Sequence, residues 1–238
     1  MVHPTIILDV LAKIIKKISV GSKTIDICVF GDMAILEELN KYYNKKPVFK
    51  GIAFPTCISV NEVCGYNSPL PENSTSIKEG DLVKIELGAH VDGFAGFAAH
   101  TIVVQSDAKA AVTGKKADVI LAAYKAIQAA LRVIRPGQFN NKVTEVIAKC
   151  CEAYGVNAVE GVLSHDIKKH LVDGNKVIIN KETFDQKVED QEFQVNDVIA
   201  LDVFVSSGEG KPKEVFILLL RLTFAQLFTK ELLTELTH

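Results

Sequence analysis

The sequence predicts an α+β protein made of two duplicated halves arranged around a central antiparallel sheet. Three observations support this prediction. Amphipathic helical segments alternate with strand-like segments, one long segment is typical of a β-hairpin, and the second half repeats the pattern of the first. We therefore expect residues 1–238 to form a single domain, with halves of about 1–112 and 113–238.

The repetition is visible at a constant spacing of 116 residues. Gly21, which follows a helical run, corresponds at this spacing to Gly137, and the segment Asp81–Glu86 corresponds to Asp197–Asp202. Each segment is an apolar strand pattern that ends in a carboxylate. Duplicated halves usually pack around a pseudo-two-fold axis, so the two carboxylates are expected to face one central cleft.

Periodicity of apolar residues predicts four helices, at 6–18, 24–43, 113–134 and 143–154. Strands are predicted at 51–60, where Pro55 interrupts the run, in the hairpin 81–104, around Ser164-His165 within 157–172, at 176–179 and at 195–205.

Composition excludes several classes of protein. The 48% hydrophobic content supplies a core, and a net charge of −2 with a pI near 6.3 excludes a global basic field that would attract nucleic acid. The five cysteines have no disulfide or zinc-finger spacing, which favours a reducing intracellular compartment. No signal peptide or membrane contact is predicted, because no stretch reaches the ~20 apolar residues that a membrane span needs.

The hairpin carries one half of a metal-ligand pair. Asp92-Gly93 predicts a two-residue turn, because both residues tolerate the positive φ of a type I′ turn. Counting outward from the turn places Glu86 opposite Ala99 and diagonal to Phe97. Two carboxylates at diagonal positions could hold a pair of metal ions. Glu86 is a carboxylate and Phe97 is not.

Several strings of residues resemble one known family. They are KGIAFPTCISVN (50–61), KEGDLVKIELGAHVDGF (78–94), AHTIVV (99–104), EGVLSHDIKKHLVDGNKVIIN (160–180) and ALDVFVSSGEGK (200–211). Over residues 6–213 the chain resembles the pita-bread proteins, which include methionine aminopeptidases, creatinase and prolidase. The resemblance is strongest to the non-catalytic branch of proliferation-associated or ErbB-receptor-binding proteins. It implies the pita-bread fold, with C-terminal strands that are incomplete because residues 214–238 depart from the family.

The resemblance also assigns residues to the metal site of the active aminopeptidases. In those enzymes two metal ions lie between two aspartates, one histidine and two glutamates. The first aspartate falls on Glu86, the second, bridging one on Phe97, the histidine on His165 and the first glutamate on Asp202. The last glutamate, also bridging, lies on a C-terminal strand that has no counterpart here. The resemblance therefore implies a vestigial site with no bound metal and no cofactor, although one residual cation held by the three remaining donors is an open alternative.

Two further positions of the cleft are changed. A histidine that assists catalysis in the active enzymes falls on Tyr66, and a substrate-side histidine falls on Asp173. The resemblance thus implies that no catalytic residue remains.

The family resemblance implies a protein that binds ribosomes, structured RNA or ribonucleoprotein particles, and protein partners as well. Such proteins act in ribosome biogenesis, translation control and growth or transcription regulation, in the cytoplasm and in the nucleus or nucleolus. Since the net charge is slightly negative, any RNA contact is expected from local basic clusters. The candidates are Lys45, Lys46, Lys50, Lys168, Lys169 and Lys176.

Two other interpretations remain open from the sequence. One is a metal-dependent methionine aminopeptidase-like hydrolase with altered ligands, against which Phe97 and Tyr66 argue. The other is a truncated gene product without independent function, because the resemblance ends near residue 213. We expect a monomer, with the apolar segment 215–228 as the region through which self-association would occur.

Overall fold

Each half begins with a pair of helices and continues with antiparallel strands, which confirms the α+β class. The computed structural model describes residues 4–42, 47–107 and 109–213. The first half contains α1 (Pro4–Lys17), α2 (Thr24–Lys41), β1 (Lys50–Val60), a 3-10 helix (Pro71–Asn73), β2 (Leu82–Val91) and β3 (Phe94–Val103). The second half contains α3 (Lys115–Val133), α4 (Asn140–Ala153), β4 (Asn157–Ala158), β5 (Leu163–Asp166), β6 (Val177–Ile179), β7 (Ile199–Ala200) and β8 (Val205–Ser206).

The described strands form three hydrogen-bonded antiparallel sheets. The largest has the order β1-β2-β3, while β4 pairs with β8, and β5 lies between β6 and β7. The strands of the second half are only two to four residues long. Side chains therefore complete their pairing. The amide of Asn180, for example, donates to the carbonyls of Val159 and Phe204 at 2.9 Å each.

Each half has its own hydrophobic core. In the first half α1 and α2 pack against the sheet through fully buried side chains such as Ile14 and Ile85. In the second half Ala122, Ala126 and Ala130 of α3 are fully buried in a core that includes α4. Because small residues at four-residue spacing lie on one helix face, α3 can pack closely against its neighbours.

The predicted repeat is present in the backbone turns that follow the first helix of each half. Gly21 and Gly137 have φ values of +88° and +86°, a region that favours glycine. The N–H of Gly21 donates to the carbonyl of Ile77 at 2.8 Å, and that of Gly137 donates to the carbonyl of Phe193 at 3.0 Å. The two acceptors are also 116 residues apart.

The second helix of each half starts with the same pair of reciprocal hydrogen bonds. At the start of α2, the N–H of Thr24 donates to the carbonyl of Thr75 at 2.9 Å, and Oγ1 of Thr24 accepts the N–H of Thr75 at 3.1 Å. At the start of α4, Asn140 exchanges equivalent bonds with Gln191, both at 3.0 Å. The residues differ, but the use of their side-chain oxygens is conserved between the halves.

The turn that precedes each carboxylate-bearing segment is repeated as well. The carboxylate of Asp81 accepts the N–H of Lys78 at 2.7 Å, and the carboxylate of Asp197 accepts the N–H of Gln194 at 2.8 Å. Three independent local features thus repeat at the spacing of 116 residues, which confirms the duplicated halves. The placement of all 238 residues in one domain stays a prediction.

Two strand predictions were wrong in detail. Strand β1 continues through Pro55 without the predicted interruption. Its pairing with β2 shifts register between Phe54 and Cys57, and this irregularity accommodates a residue that has no N–H to donate.

The predicted strand 195–205 is also not continuous, because only Ile199–Ala200 and the end at Val205 are strand. Asp202 lies between them, where its backbone bonds to a side chain instead of to a neighbouring strand. The hydroxyl of Ser164 accepts the N–H of Asp202 at 2.9 Å and donates to its carbonyl at 3.1 Å.

No helix within the described ranges is long and apolar enough to cross a membrane. The predictions for segment 214–238, and those for Lys45 and Lys46, concern residues outside the described part of the chain.

Candidate metal centre

The β2–β3 hairpin has the register that its turn predicts. Asp92 and Gly93 both have positive φ, +52° and +76°, and the flanking residues of the turn pair directly. Glu86 of β2 lies opposite Ala99 of β3. Phe97, two residues before Ala99 on β3, lies opposite Gly88 of β2. The diagonal relation of Glu86 and Phe97 is therefore confirmed.

Glu86 is a buried carboxylic acid, with 8% of its surface exposed. Its Oε2 accepts the backbone N–H of Tyr66 at 2.8 Å. Burial raises the pKa of Glu86 to about 7. The hydrogen bond from Tyr66 and the positive charge of Lys84 favour a lower pKa, whereas the negative charge of Asp202 favours a higher one. A substantial fraction of Glu86 is therefore protonated near neutral pH.

Aromatic side chains cluster near Gly65 and Gly88, the two glycines that lie close to this carboxylic acid. The ring of Tyr66 contacts Phe54 edge-on at 5.9 Å between centroids and Phe204 at 5.8 Å. The ring of Phe97 covers Gly88, where an added Cβ would lie 2.6 Å from a ring carbon. We call Phe54, Tyr66, Phe97 and Phe204 the aromatic cluster.

The position of Tyr66 itself is unusual for a residue with a side chain. Its φ is +61°, in the left-handed region, and 49% of the surface of the residue is exposed at the edge of the aromatic cluster. The neighbouring Gly65 has no room for a side chain, because a Cβ there would lie 2.7 Å from the ring of Phe204 and 3.2 Å from Oε2 of Glu86. The backbone thus approaches the carboxylic acid closely and supplies the N–H that holds it.

The second half contributes His165 and Asp202 to the same region. His165 lies on β5 and pairs with Ala200 of β7, two residues before Asp202. Burial raises the pKa of Asp202, and His165 opposes this change. The Nδ1 atom of His165 is buried, has no hydrogen-bond partner among the described residues, and lies 4.0 Å from a carboxylate oxygen of Asp173. The two halves meet here, because a Cβ at Gly65 of the first half would lie 3.2 Å from Oε2 of Glu86 and 2.7 Å from the ring of Phe204 of the second half.

These residues do not fit a two-metal centre. A pair of metal ions needs shared oxygen ligands to hold the ions roughly 3.5–4 Å apart, and the ring of Phe97 offers no lone pair. Among the described residues, no three side chains of histidine, cysteine, aspartate or glutamate are grouped so that they could hold one ion. The geometry therefore does not favour the alternative of a residual cation on Glu86, His165 and Asp202.

Two of the lysines predicted to contact RNA have internal partners. The ammonium of Lys50 donates to the carbonyls of Leu39 and Tyr42 at the end of α2, at 2.8 and 2.7 Å. Lys176 is largely buried and forms a 2.5 Å ion pair with Asp197. Both ammonium groups are held by the fold, so both are poor candidates for contact with a phosphate.

Lys168 and Lys169 are more accessible. The side chain of Lys168 is 70% exposed and pairs with Asp166 at 3.1 Å, and that of Lys169 is 45% exposed and pairs with Asp92 at 2.8 Å. The Lys169–Asp92 pair is exposed on both sides, and such a pair contributes little free energy and can exchange for another anion. The partner of Lys168 is only 4% exposed, whereas Lys169 also lies over the ring of Phe94 at 5.4 Å, so each lysine has one further constraint within the fold.

The aromatic cluster is not evident from the sequence. Phe204 stands two residues after Asp202, as Gly88 stands two residues after Glu86, and these pairs are 116 residues apart. Gly88 and Phe204 therefore occupy equivalent positions in the two halves. The second half has an aromatic ring beside the cleft where the first half has no side chain. Phe54, in contrast, could be located only by knowing the irregular register of β1.

The family is shown by a comparison with known proteins. A model described as metallopeptidase family M24 matches residues 5–217. The chain belongs to this family. Its strands and helices have the pita-bread arrangement of other M24 proteins, and a solved structure of a thermophilic Arx1 matches it with a TM-score of 0.82 at 31% identity, covering 90% of this chain and 63% of that one.

Two curated relatives carry names that agree with the resemblance seen in the sequence. Proliferation-associated protein A of Dictyostelium discoideum is 47% identical over 87% of this chain and 54% of its own length. ERBB-3 binding protein 1 of Arabidopsis thaliana is 46% identical over 81% of this chain and 49% of its own length. The chain thus spans about half the length of these relatives.

Proposed function

We propose that this chain is a non-catalytic M24 protein that acts by binding, with ribosomes or structured RNA as its partner. One observation carries the loss of catalysis: Phe97 occupies the position diagonal to Glu86 on the hairpin, where the active enzymes of this fold have a bridging aspartate.

The chemistry supports this proposal. Hydrolysis by two metal ions depends on bridging oxygens that fix the ions and lower the pKa of the attacking water. Here Glu86 is held by the backbone N–H of Tyr66, a member of the aromatic cluster, and burial raises the pKa of Glu86 to about 7. A carboxylic acid that is partly neutral at physiological pH is a weaker cation ligand than an ordinary carboxylate.

The choice of partner rests on the relatives. Proteins named for proliferation association and for ERBB-3 binding share 47% and 46% identity with this chain, which favours a binding role within the same branch of the family. We further propose action in ribosome biogenesis, translation control or growth regulation, in the cytoplasm and in the nucleus or nucleolus, as a monomer that needs no cofactor. Protein partners are part of this proposal.

An aminopeptidase assay tests the loss of catalysis. The chain is loaded with cobalt, manganese, zinc or iron and incubated with peptides that begin with methionine followed by a small residue. We expect no metal-dependent release of methionine, and little or none after Phe97→Asp together with Tyr66→His, because the other bridging ligand of the active enzymes has no counterpart among the described residues. Metal-dependent release that His165→Ala abolishes would support the altered-ligand hydrolase instead.

Co-sedimentation with large ribosomal subunits across a salt series tests the partner. Each phosphate contact contributes about −0.9 to the slope of log affinity against log salt on duplexes, so Lys168→Gln with Lys169→Gln should flatten the slope by up to ~2. The matched control is Lys142→Gln with Lys149→Gln on the outer face of α4, which should leave the slope unchanged. Absence of binding at low salt would contradict the ribosome proposal.

A further inference from the structure

Helix α3 exposes large apolar side chains in one row. Leu121, Tyr124 and Leu131 have 44%, 57% and 56% of their surface exposed. Their spacings of three and seven residues place them on one face of a helix, over about 15 Å of its length. Large apolar side chains in a row on a helix are typical of protein-binding surfaces.

Two basic residues, Lys125 and Arg132, border this row on one side of the helix. The segment from Lys115 to Arg135 contains five basic residues and one acidic residue, Asp118, although the whole chain has a net charge of −2. Lys125 lies over the ring of Tyr124 at 5.9 Å, and Arg132 donates to a carbonyl of its own helix at 2.8 Å. No ion pair found among the described residues involves a basic group of α3.

The other helices lack this combination. On α4, the outer face carries alternating charges, and Lys142 pairs with Glu145 at 2.9 Å. On α2, Val29, Met33 and Leu36 are exposed, but Asp26, Glu37 and Lys41 give that helix charges of both signs. Among the helices described, only α3 joins an exposed apolar row to an excess of basic charge, because α2 carries four acidic residues and one basic residue.

We propose that the outer face of α3 docks an acidic amphipathic helix of a partner protein. The apolar row supplies anchors at the spacings by which helices are recognised, and the basic flank formed by Lys125 and Arg132 complements acidic residues along one side of the partner's apolar stripe. RNA would use the basic groups but would gain nothing from two exposed leucines. We name this surface, formed by Leu121, Tyr124, Lys125, Leu131 and Arg132, the α3 face. It is separate from Lys168 and Lys169, so it is a second binding surface beyond the proposed function.

Fluorescence anisotropy with the full chain tests the proposal. The probe is a labelled synthetic peptide with a leucine stripe flanked by glutamates at helical spacing, and its control is a scrambled peptide of identical composition. We expect binding of the amphipathic peptide, weakened by salt, and at least about tenfold weaker binding of the scrambled peptide. Equal affinity for both peptides, or no binding of either, would overturn the proposal.

Paired variants separate the apolar and charged contributions. Leu121→Ser with Leu131→Ser, and Lys125→Glu with Arg132→Glu, should each weaken peptide binding by about tenfold, as the loss of interface anchors does. Lys142→Glu with Lys149→Glu on α4 is the matched control and should change affinity less than about twofold. All six positions are on the outer faces of helices, and thermal unfolding checks that each variant is folded.

Two results would assign the α3 face to another occupant. If an RNA hairpin binds, the charge reversals weaken it and the leucine variants do not affect either ligand, then the face binds RNA. If Leu233→Ser with Leu236→Ser raises the affinity for the peptide, then the chain's own acidic C-terminal segment competes for the face. Either result would overturn the proposal of a partner's helix.

Discussion

At the scale of single residues, Glu86 shows how a carboxylic acid is accommodated in the interior of this fold. Its carboxyl group is buried and held by one backbone N–H, and no described positive group forms an ion pair with it. Burial therefore favours the neutral form and raises the pKa to about 7 from an ordinary value of 4.5. A neutral Glu86 can remain beside Asp202 without the repulsion that two carboxylates would have.

This raised pKa makes the stability of the chain depend on pH. The folded state keeps the proton of Glu86 to higher pH than the unfolded state does. The contribution of Glu86 to the free energy of unfolding therefore falls as pH rises from about 4.5 to about 7, and stays low above that. Glu86→Gln keeps an acceptor for the N–H of Tyr66 and cannot ionise. We expect the variant to gain stability over the parent as pH rises, by up to about 3 kcal/mol at pH 8.

Urea unfolding of both proteins between pH 4 and pH 8 measures this difference. Glu152→Gln, at an exposed position of α4, serves as the control and should follow the pH dependence of the parent. A difference between Glu86→Gln and the parent that does not change with pH would show that the pKa of Glu86 is the same in the folded and unfolded states, and so is not raised by folding.

At the scale of elements, the two halves have the same type of turn between their first and second helices. Gly21 and Gly137 hold the turn at nearly the same positive φ, and both donate to carbonyls 56 residues further along. Neither site is crowded, since an added Cβ meets nothing within 4 Å at Gly21 and only a glutamate oxygen at 4.0 Å at Gly137. The need for glycine is therefore conformational rather than steric.

Replacing either glycine by alanine should lower the free energy of unfolding by about the same amount. We expect Gly21→Ala and Gly137→Ala each to lower the free energy of unfolding by about 1 to 2 kcal/mol, the cost of a side chain in the left-handed region. Gly208→Ala is the control, because its φ is not in that region and its Cβ would make an ordinary contact at 3.6 Å. Urea unfolding of the three variants compares them, and a loss at only one of the two turns would mean that the turns are not equivalent.

The elements also show what the sequence can and cannot predict. The hairpin register followed from Asp92-Gly93 alone, because a two-residue turn fixes which residues pair. The strand predicted around Asp202 failed because its pairing is replaced by the hydroxyl of Ser164, which is 38 residues away in the chain. Local patterns carry no information about such a long-range partner.

The candidate site divides in the same way. Glu86 and Phe97 could be placed from the hairpin, since both belong to one local element. The aromatic cluster could not, because Phe54, Tyr66 and Phe204 come from three separate segments and meet only in the folded chain. The contacts of Lys50 with a carbonyl and of Lys176 with Asp197 could not be predicted either, because the sequence does not show which lysines have a partner inside the fold.

At the scale of the whole molecule, the two halves are joined at the tip of the hairpin. The N–H of His170 donates to the carbonyl of Gly93 at 2.8 Å, and Lys169 pairs with Asp92 at 2.8 Å. His170 has a positive φ of +60°, a conformation that is unfavourable for a residue with a side chain. The contact with Gly93 stabilises this conformation. The loop that carries the accessible lysines is thus docked on the first half of the chain.

A double-mutant cycle measures the strength of this junction. An added Cβ at Gly93 would lie 2.3 Å from Nδ1 of His170, so Gly93→Ala forces the loop away as well as straining the positive φ of the turn. His170→Ala removes the ring and with it the clash. We expect Gly93→Ala to cost at least about 1 kcal/mol more in the parent than in the His170→Ala background, the coupling typical of residues in contact.

Gly80→Ala measures how much free energy of unfolding is lost when alanine replaces glycine at a positive φ without a clash. Gly80 has a similar φ of +82°, and its Cβ would meet only the end of the Lys116 side chain at 3.8 Å. Its cost should therefore equal that of Gly93→Ala in the His170→Ala background, and it should be the same whether His170 is present or not. Urea unfolding of the variants gives all the free energies. If Gly93→Ala costs the same in both backgrounds, the ring of His170 does not pack against the tip of the hairpin, which contradicts the contact between the two halves at this point.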